Sequence, residues 1–155
     1  MNETIGEFIK ICERHADRLQ WAMTALRVHL PFSKQTLAQL SDMELAILDQ
    51  FSTRFGMLHE LMEAKLFPAF LELTKEPGDL KAFIDKLYRL EKIGAIPSAD
   101  NWLLIREIRN TISHDYSEDP NIQAEVLNKA FELATRLLDV LKSVIKFINP
   151  NINKS

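Results

Sequence analysis

A chain of 155 residues can bury one core without disulfide or metal staples, and 46% hydrophobic with 26% charged residues is ordinary globular composition. The net charge of -3 excludes a chain-wide polyanion-binding surface, so contact with nucleic acid requires a local basic patch or a groove between two copies. Cys12 is the single cysteine, which excludes an internal disulfide and suits a reducing cytoplasm. The polar, acidic N-terminus has no leader-like character and no apolar run approaches the ~18 residues of a membrane span, so a cytoplasmic chain without membrane contact is expected.

Helical periodicity runs through almost the whole chain. Thr4-Ile5-Gly6-Glu7 has the form of a capping box, and Ile5, Phe8, Ile9, Cys12, Ala16, Leu19, Met23 and Leu26 make one apolar stripe that Pro31 ends. Ser41-Asp42-Met43-Glu44 is a second box, opening the stripe Leu45, Leu48, Phe51, Phe55, Leu58, Leu61, Met62 and Leu66. Pro68 removes a backbone donor and crowds the preceding turn, which predicts a kink or stop. Glu76-Pro77-Gly78-Asp79 reads as a loop, followed by a shorter helix over about 80–93 with Gly94 as a left-handed cap. After Pro97-Ser98 a helix starts near Asp100, carries Trp102, Leu103, Ile105 and Ile108, and runs into Arg109-Asn110-Thr111-Ile112-Ser113-His114. Asp119-Pro120 opens the last helix, with Ile122, Val126, Ala130, Leu133, Leu137, Leu141, Val144 and Ile148 on one stripe and a frayed tail from Asn149 to Ser155. No internal repeat or strand pair is visible. The expected fold is all-α: one domain over residues 1–155, an up-and-down bundle of about five helices.

Chemistry concentrates at the end of the fourth helix, in Arg106, Arg109, Asn110, Ser113, His114, Asp115 and Tyr116. Arg106, Asn110 and His114 share a face at i, i+4 and i+8, whereas Arg109 lies about 140° around the axis from His114. For Arg109 and His114 to act together, the helix has to bend near Ser113, or a two-fold axis has to bring two copies together. A guanidinium holds phosphate in a bidentate fork and an imidazole moves protons near neutral pH. The negative end of the helix dipole and Asp115 both favour a protonated His114, hence a general acid. Asn110 can orient that imidazole or donate to a phosphate oxygen. A base, an acid and a cation suffice to cleave RNA through its own 2′-hydroxyl, without a metal or cofactor. The plainer reading stands beside this one: Arg and His are ordinary residues near a helix C-terminus, and Asp115, Glu118 and Asp119 can pair with the arginines.

The run from Arg109 to Tyr116 resembles the R-N-x-x-x-H pattern of HEPN-domain proteins, extended to the R-x4-H-x-Y form of the HepT toxins. Arg54-Phe55-Gly56-Met57-Leu58-His59-Glu60-Leu61 resembles the R-F-x-x-x-x-E-L segment of nucleotidyltransferase substrate-binding proteins. Element order is also similar, and the likeness covers roughly residues 5–148. The resemblance implies a HEPN-like bundle that forms a homodimer, with Arg109 and His114 catalytic in a cleft that cuts RNA without metal and Asn110 in support. It further implies a cognate nucleotidyltransferase antitoxin that silences the toxin by transferring AMP to Tyr116. Glu60, on the second-helix face that relatives turn toward the cleft, either orients His114 or Arg109 or stands as a solvated carboxylate. Arg106 and Ser113 are further supporting candidates. Gly56 departs from the larger residue common in relatives, and the acids beside the motif count against tight RNA binding. The rival expectation is a non-catalytic substrate-binding or scaffold subunit of a nucleotidyltransferase, and a purely structural bundle is a third.

Other polar and aromatic residues read as structural. His59 is expected to be incidental, His29 to cap the first helix, and Cys12 with His15 to be core or surface residues, since one Cys–His pair is no zinc site. Lys81, Lys86, Arg89 and Lys92 read as a solvated face interrupted by Asp85 and Glu91. Trp21, Trp102 and the phenylalanines are expected in the core or a dimer interface rather than as base-stacking platforms.

Overall fold

The computed structural model describes residues 2–74, 82–113 and 118–152, and among them there are helices and no strands. Helix α1 spans Asn2–Leu26. It is already running at Thr4, before the expected capping box, and Ile5 is buried, so core contacts anchor its start. A 3-10 turn at Arg27–His29 leads to Pro31 and buried Phe32. Asn128, well inside the last helix, holds this connection. Its Oδ1 accepts from the Phe32 N–H at 2.7 Å and its Nδ2 donates to the Phe32 carbonyl at 2.9 Å.

A short helix that periodicity did not reveal, α2 at Lys34–Ala38, follows. Five residues are too few to show an apolar stripe. Its capping box uses Thr36 in place of the usual Glu: the Thr36 N–H donates to Ser33 Oγ at 3.2 Å, and the Ser33 N–H donates to Thr36 Oγ1 at 2.7 Å. Helix α3 spans Asp42–Leu61 and has the expected cap, with Ser41 Oγ accepting from the Glu44 N–H at 3.1 Å and Glu44 Oε1 accepting from the Ser41 N–H at 3.0 Å.

Pro68 neither stops nor breaks the run. A π-helical turn at Met62–Leu66 precedes it, and α4 continues over Phe67–Leu73. The Phe67 N–H reaches back five residues to the Met62 carbonyl, and this widened turn makes room for the proline ring where an α-turn would clash. The expected loop at residues 76–79 lies outside the described residues. Helix α5 covers Phe83–Lys92 and closes in a Schellman arrangement: Ala95 N–H to Leu90 carbonyl at 2.9 Å, Gly94 N–H to Glu91 carbonyl at 3.0 Å, and Gly94 at φ +83°.

Helix α6 spans Ala99–Ser113, its first turn satisfied by Ser98 Oγ (from the Asn101 N–H, 3.1 Å) and Glu91 Oε1 (from the Ala99 N–H, 2.6 Å). Helix α7 starts where Asp119-Pro120 indicated, with Asp119 Oδ1 accepting from the Asn121 N–H at 2.9 Å. It runs to Ile152, three residues past the expected fraying point of Asn149; buried Ile148 ties this end to the core.

Packing joins α1 to α3, α3 to α6, α6 to α7 and α7 back to α1, an all-α bundle with α5 laid over α4 and α6. Phe51, Phe55, Phe67, Phe70 and Trp102 are fully buried, and Phe51 stacks on Phe131 with centroids 4.1 Å apart. Two stripes are trimmed at their first turn: Leu45 and Ile122 are exposed, and Ala124 and Leu127 take the inward positions at the start of α7. Trp21, expected in the core or an interface, is 53% exposed. Among the described residues no helix is long and apolar enough to cross a membrane.

Candidate functional site

The contact between α3 and α6 gathers the polar residues. Along α3 and its π-turn, Gly56, His59, Glu60 and Glu63 recur at i, i+3, i+4 and i+7. Along α6, Trp102, Arg106 and Arg109 recur at i, i+4 and i+7. Glu60 Oε2 accepts from Arg109 Nη2 at 3.2 Å, so Glu60 does hold Arg109. Arg109 Nη1 donates to Asn110 Oδ1 at 3.1 Å. Arg106 Nε lies 3.7 Å from Glu63 Oε2, and its guanidinium sits 5.2 Å from the centre of the Phe83 ring. Glu63 Oε1 also accepts from Trp102 Nε1 at 3.1 Å. Arg106 and Arg109 therefore share the α3-facing side of α6. Asn110, one helical turn on from Arg106, joins the cluster through its hydrogen bond to Arg109.

A Cβ at Gly56 would lie 4.0 Å from Arg109 Nε, an ordinary contact, so the position lies beside the guanidinium and would accept alanine. Arg109 Nε itself is buried and has no hydrogen-bond partner among the described residues. Ser113 Oγ donates to the Arg109 carbonyl at 2.8 Å, so its hydroxyl serves the helix backbone.

His59, expected to be incidental, is a buried part of this contact. It is fully buried, stacked on Trp102 at 4.8 Å between centroids and 17° between planes. Burial first, then the charges of Arg109 and Arg106, lower its pKa to about 3. The imidazole is neutral near pH 7, so its 3.5 Å approach to Glu63 is not an ion pair, and neither ring nitrogen has a hydrogen-bond partner among the described residues. The signal was present in the sequence: His59 follows Gly56 by three residues and precedes Glu63 by four, on one helical face with both.

The remaining candidates fall elsewhere. His114, Asp115 and Tyr116 lie outside the described residues, as does Lys81. His29 pairs with Glu44 of the α3 capping box instead of capping α1. Cys12 is buried, its thiol pushed up to about 12 by desolvation and by Glu13. His15 Nδ1 accepts from Arg54 Nη1 at 2.9 Å, and burial, then the charges of Arg54 and Arg14, lower the pKa of this imidazole.

Chemically, the α3–α6 rim offers two guanidiniums to an anion. Arg109 is 27% exposed and its partner Glu60 is 69% exposed. An ion pair that open is worth about 1 kcal/mol or less, so a phosphate oxygen can replace the carboxylate at small cost. No family model, curated protein or solved structure matches the chain.

Proposed function

We propose that this chain is a metal-independent RNA endonuclease of the HEPN type, acting as a homodimer and as the toxin of a toxin–antitoxin pair with a nucleotidyltransferase. The observation that carries the reading is the setting of Arg109, whose guanidinium donates to both Glu60 and Asn110. In the proposed reaction the RNA 2′-hydroxyl, losing its proton to a base, attacks the adjacent phosphorus. The 5′-oxygen leaves with a proton from His114, giving a 2′,3′-cyclic phosphate and a 5′-hydroxyl end. Arg109 neutralises the charge that builds on the phosphoryl oxygens. AMP transfer from ATP to the Tyr116 oxygen, with release of pyrophosphate, is the proposed silencing step.

Purified protein incubated with RNA in the presence of a chelator tests this. Wild-type protein is expected to leave 5′-hydroxyl ends, and His114→Ala to slow cleavage about 10²–10⁴-fold with unchanged folding. Intact RNA with the wild type, or equal cleavage by the variant, overturns the nuclease reading. A nucleotidyltransferase partner supplied with ATP and Mg²⁺ is expected to add one AMP, lost in Tyr116→Phe. One feature favours the rival, a non-catalytic substrate-binding subunit: both Arg106 and Arg109 already face carboxylates. On that reading the wild type leaves RNA uncut while still binding the nucleotidyltransferase.

A further inference from the structure

A second cationic feature lies on another side of α3, along its seam with α1. A cleft of about 380 Å³ is lined by Arg18 and Trp21 of α1 and by Met43, Ile47, Gln50 and Arg54 of α3. Among the described residues neither arginine has a carboxylate within ion-pair distance, in contrast to Arg106 and Arg109. Charges are sorted along α1: Glu13 and Asp17 line the groove with α7, while Arg18 faces α3, with the cationic Arg14 and Arg54 both close enough to act on His15. A protein of net charge -3 thus keeps a small concave surface positive. Into it project an indole that is 53% exposed and a methionine that is 71% exposed.

We propose that this cleft binds a nucleotide, with the base against Trp21 and the phosphate between Arg18 and Arg54. An exposed indole beside guanidiniums suits a planar base carrying an anion, and Gln50 offers both a donor and an acceptor to a base edge. The volume suits a ligand of about one nucleotide and is too small for a docked helix. A second copy packed here about a two-fold axis would set Arg18 and Arg54 against their own equivalents, which like charge opposes. The ligand is either a free nucleotide or one unit of a single-stranded RNA. This inference stands apart from the nuclease reading, because it uses none of its residues.

Tryptophan emission tests it directly. Of the two tryptophans, Trp102 is fully buried, so a change on titration reports Trp21. AMP, inorganic phosphate and a short oligoadenylate are added separately to the intact protein. Saturable quenching by AMP or by the oligonucleotide is expected, and whichever binds more tightly identifies the source. Arg18→Gln is expected to weaken binding about tenfold, and Trp21→Leu, followed by calorimetry, by a similar factor. Arg18 and Trp21 are both exposed, so both variants are expected to fold as the wild type does. The proposal falls on any of four results: no saturable change at millimolar nucleotide, undiminished binding by Arg18→Gln, phosphate binding as tightly as AMP, or emission that shifts with protein concentration alone.

Discussion

An imidazole stacked on Trp102, with both ring nitrogens buried and unbonded among the described residues, takes two polar atoms out of water without replacing their hydrogen bonds. Each such group costs about 1–3 kcal/mol, so His59→Phe, which keeps the ring stack, is expected to stabilise the fold by about 1–3 kcal/mol in urea unfolding. The pH dependence has a definite sign. His59 titrates near 6.5 when unfolded and near 3 when folded, so on acidification the unfolded chain takes the proton first. This contribution to stability is therefore complete above pH 6.5 and is lost as pH falls, by up to about 1.4 kcal/mol per unit. The gap between His59→Phe and wild type should widen between pH 7 and pH 4.5; a constant gap would mean that His59 is protonated in the folded state. Glu60 was flagged only through the family resemblance, because it and Arg109 sit on different helices and no local spacing relates them. For His59 only its helical face was legible, because a histidine inside an apolar stripe gives no sign of whether its nitrogens find partners. That depends on Trp102 and Arg106, about forty residues away.

Elements announced by their ends came through well. Ser41 with Glu44, Asp119 with Pro120, and Gly94 after Lys92 each supply a local hydrogen bond or a φ value that no distant residue alters. Besides the short α2, what escaped is set by long-range contact. The connection from Leu30 to Ser33 looked like a plain stop after Pro31, yet Asn128 holds Phe32 from across ninety-six residues. Asn128→Ala leaves a buried N–H and a buried carbonyl unbonded and is expected to destabilise the protein by about 2–4 kcal/mol. Asn128→Asp keeps the acceptor for the Phe32 N–H but sets a carboxylate oxygen against the Phe32 carbonyl, so thermal melts should place it no higher than alanine.

Helices α1, α3, α6 and α7 close on one another, and among the described candidates Arg106 and Arg109 sit along the contact of α6 with α3. Overall architecture was readable because amphipathic stripes separated by strong breakers have few ways to bury themselves. Assembly was not, since a rim gives no sign of whether a second copy meets it. Salt dependence reads that at the scale of the whole molecule. If one protomer engages RNA through Arg106 and Arg109 alone, the slope of log K against log salt is expected near about -1.4, and near about -2.8 if two protomers share the strand. A flat dependence would remove both arginines from the RNA contact.

The widened turn at Met62–Leu66 also bears on how this sequence can change. A turn closed by an i→i+5 bond holds one residue more than an α-turn, which amounts to an insertion lodged within the helix. Excising exposed Lys65 would restore regular α-geometry while leaving the faces of α3 and α4 in register. Pro68 would then meet the carbonyl one turn back and lose about 3 kcal/mol, unless it were replaced by alanine in the same chain. The deletion and the substitution are thus epistatic: the first should be tolerated only after the second, and length variation in this helix should travel with the residue at position 68.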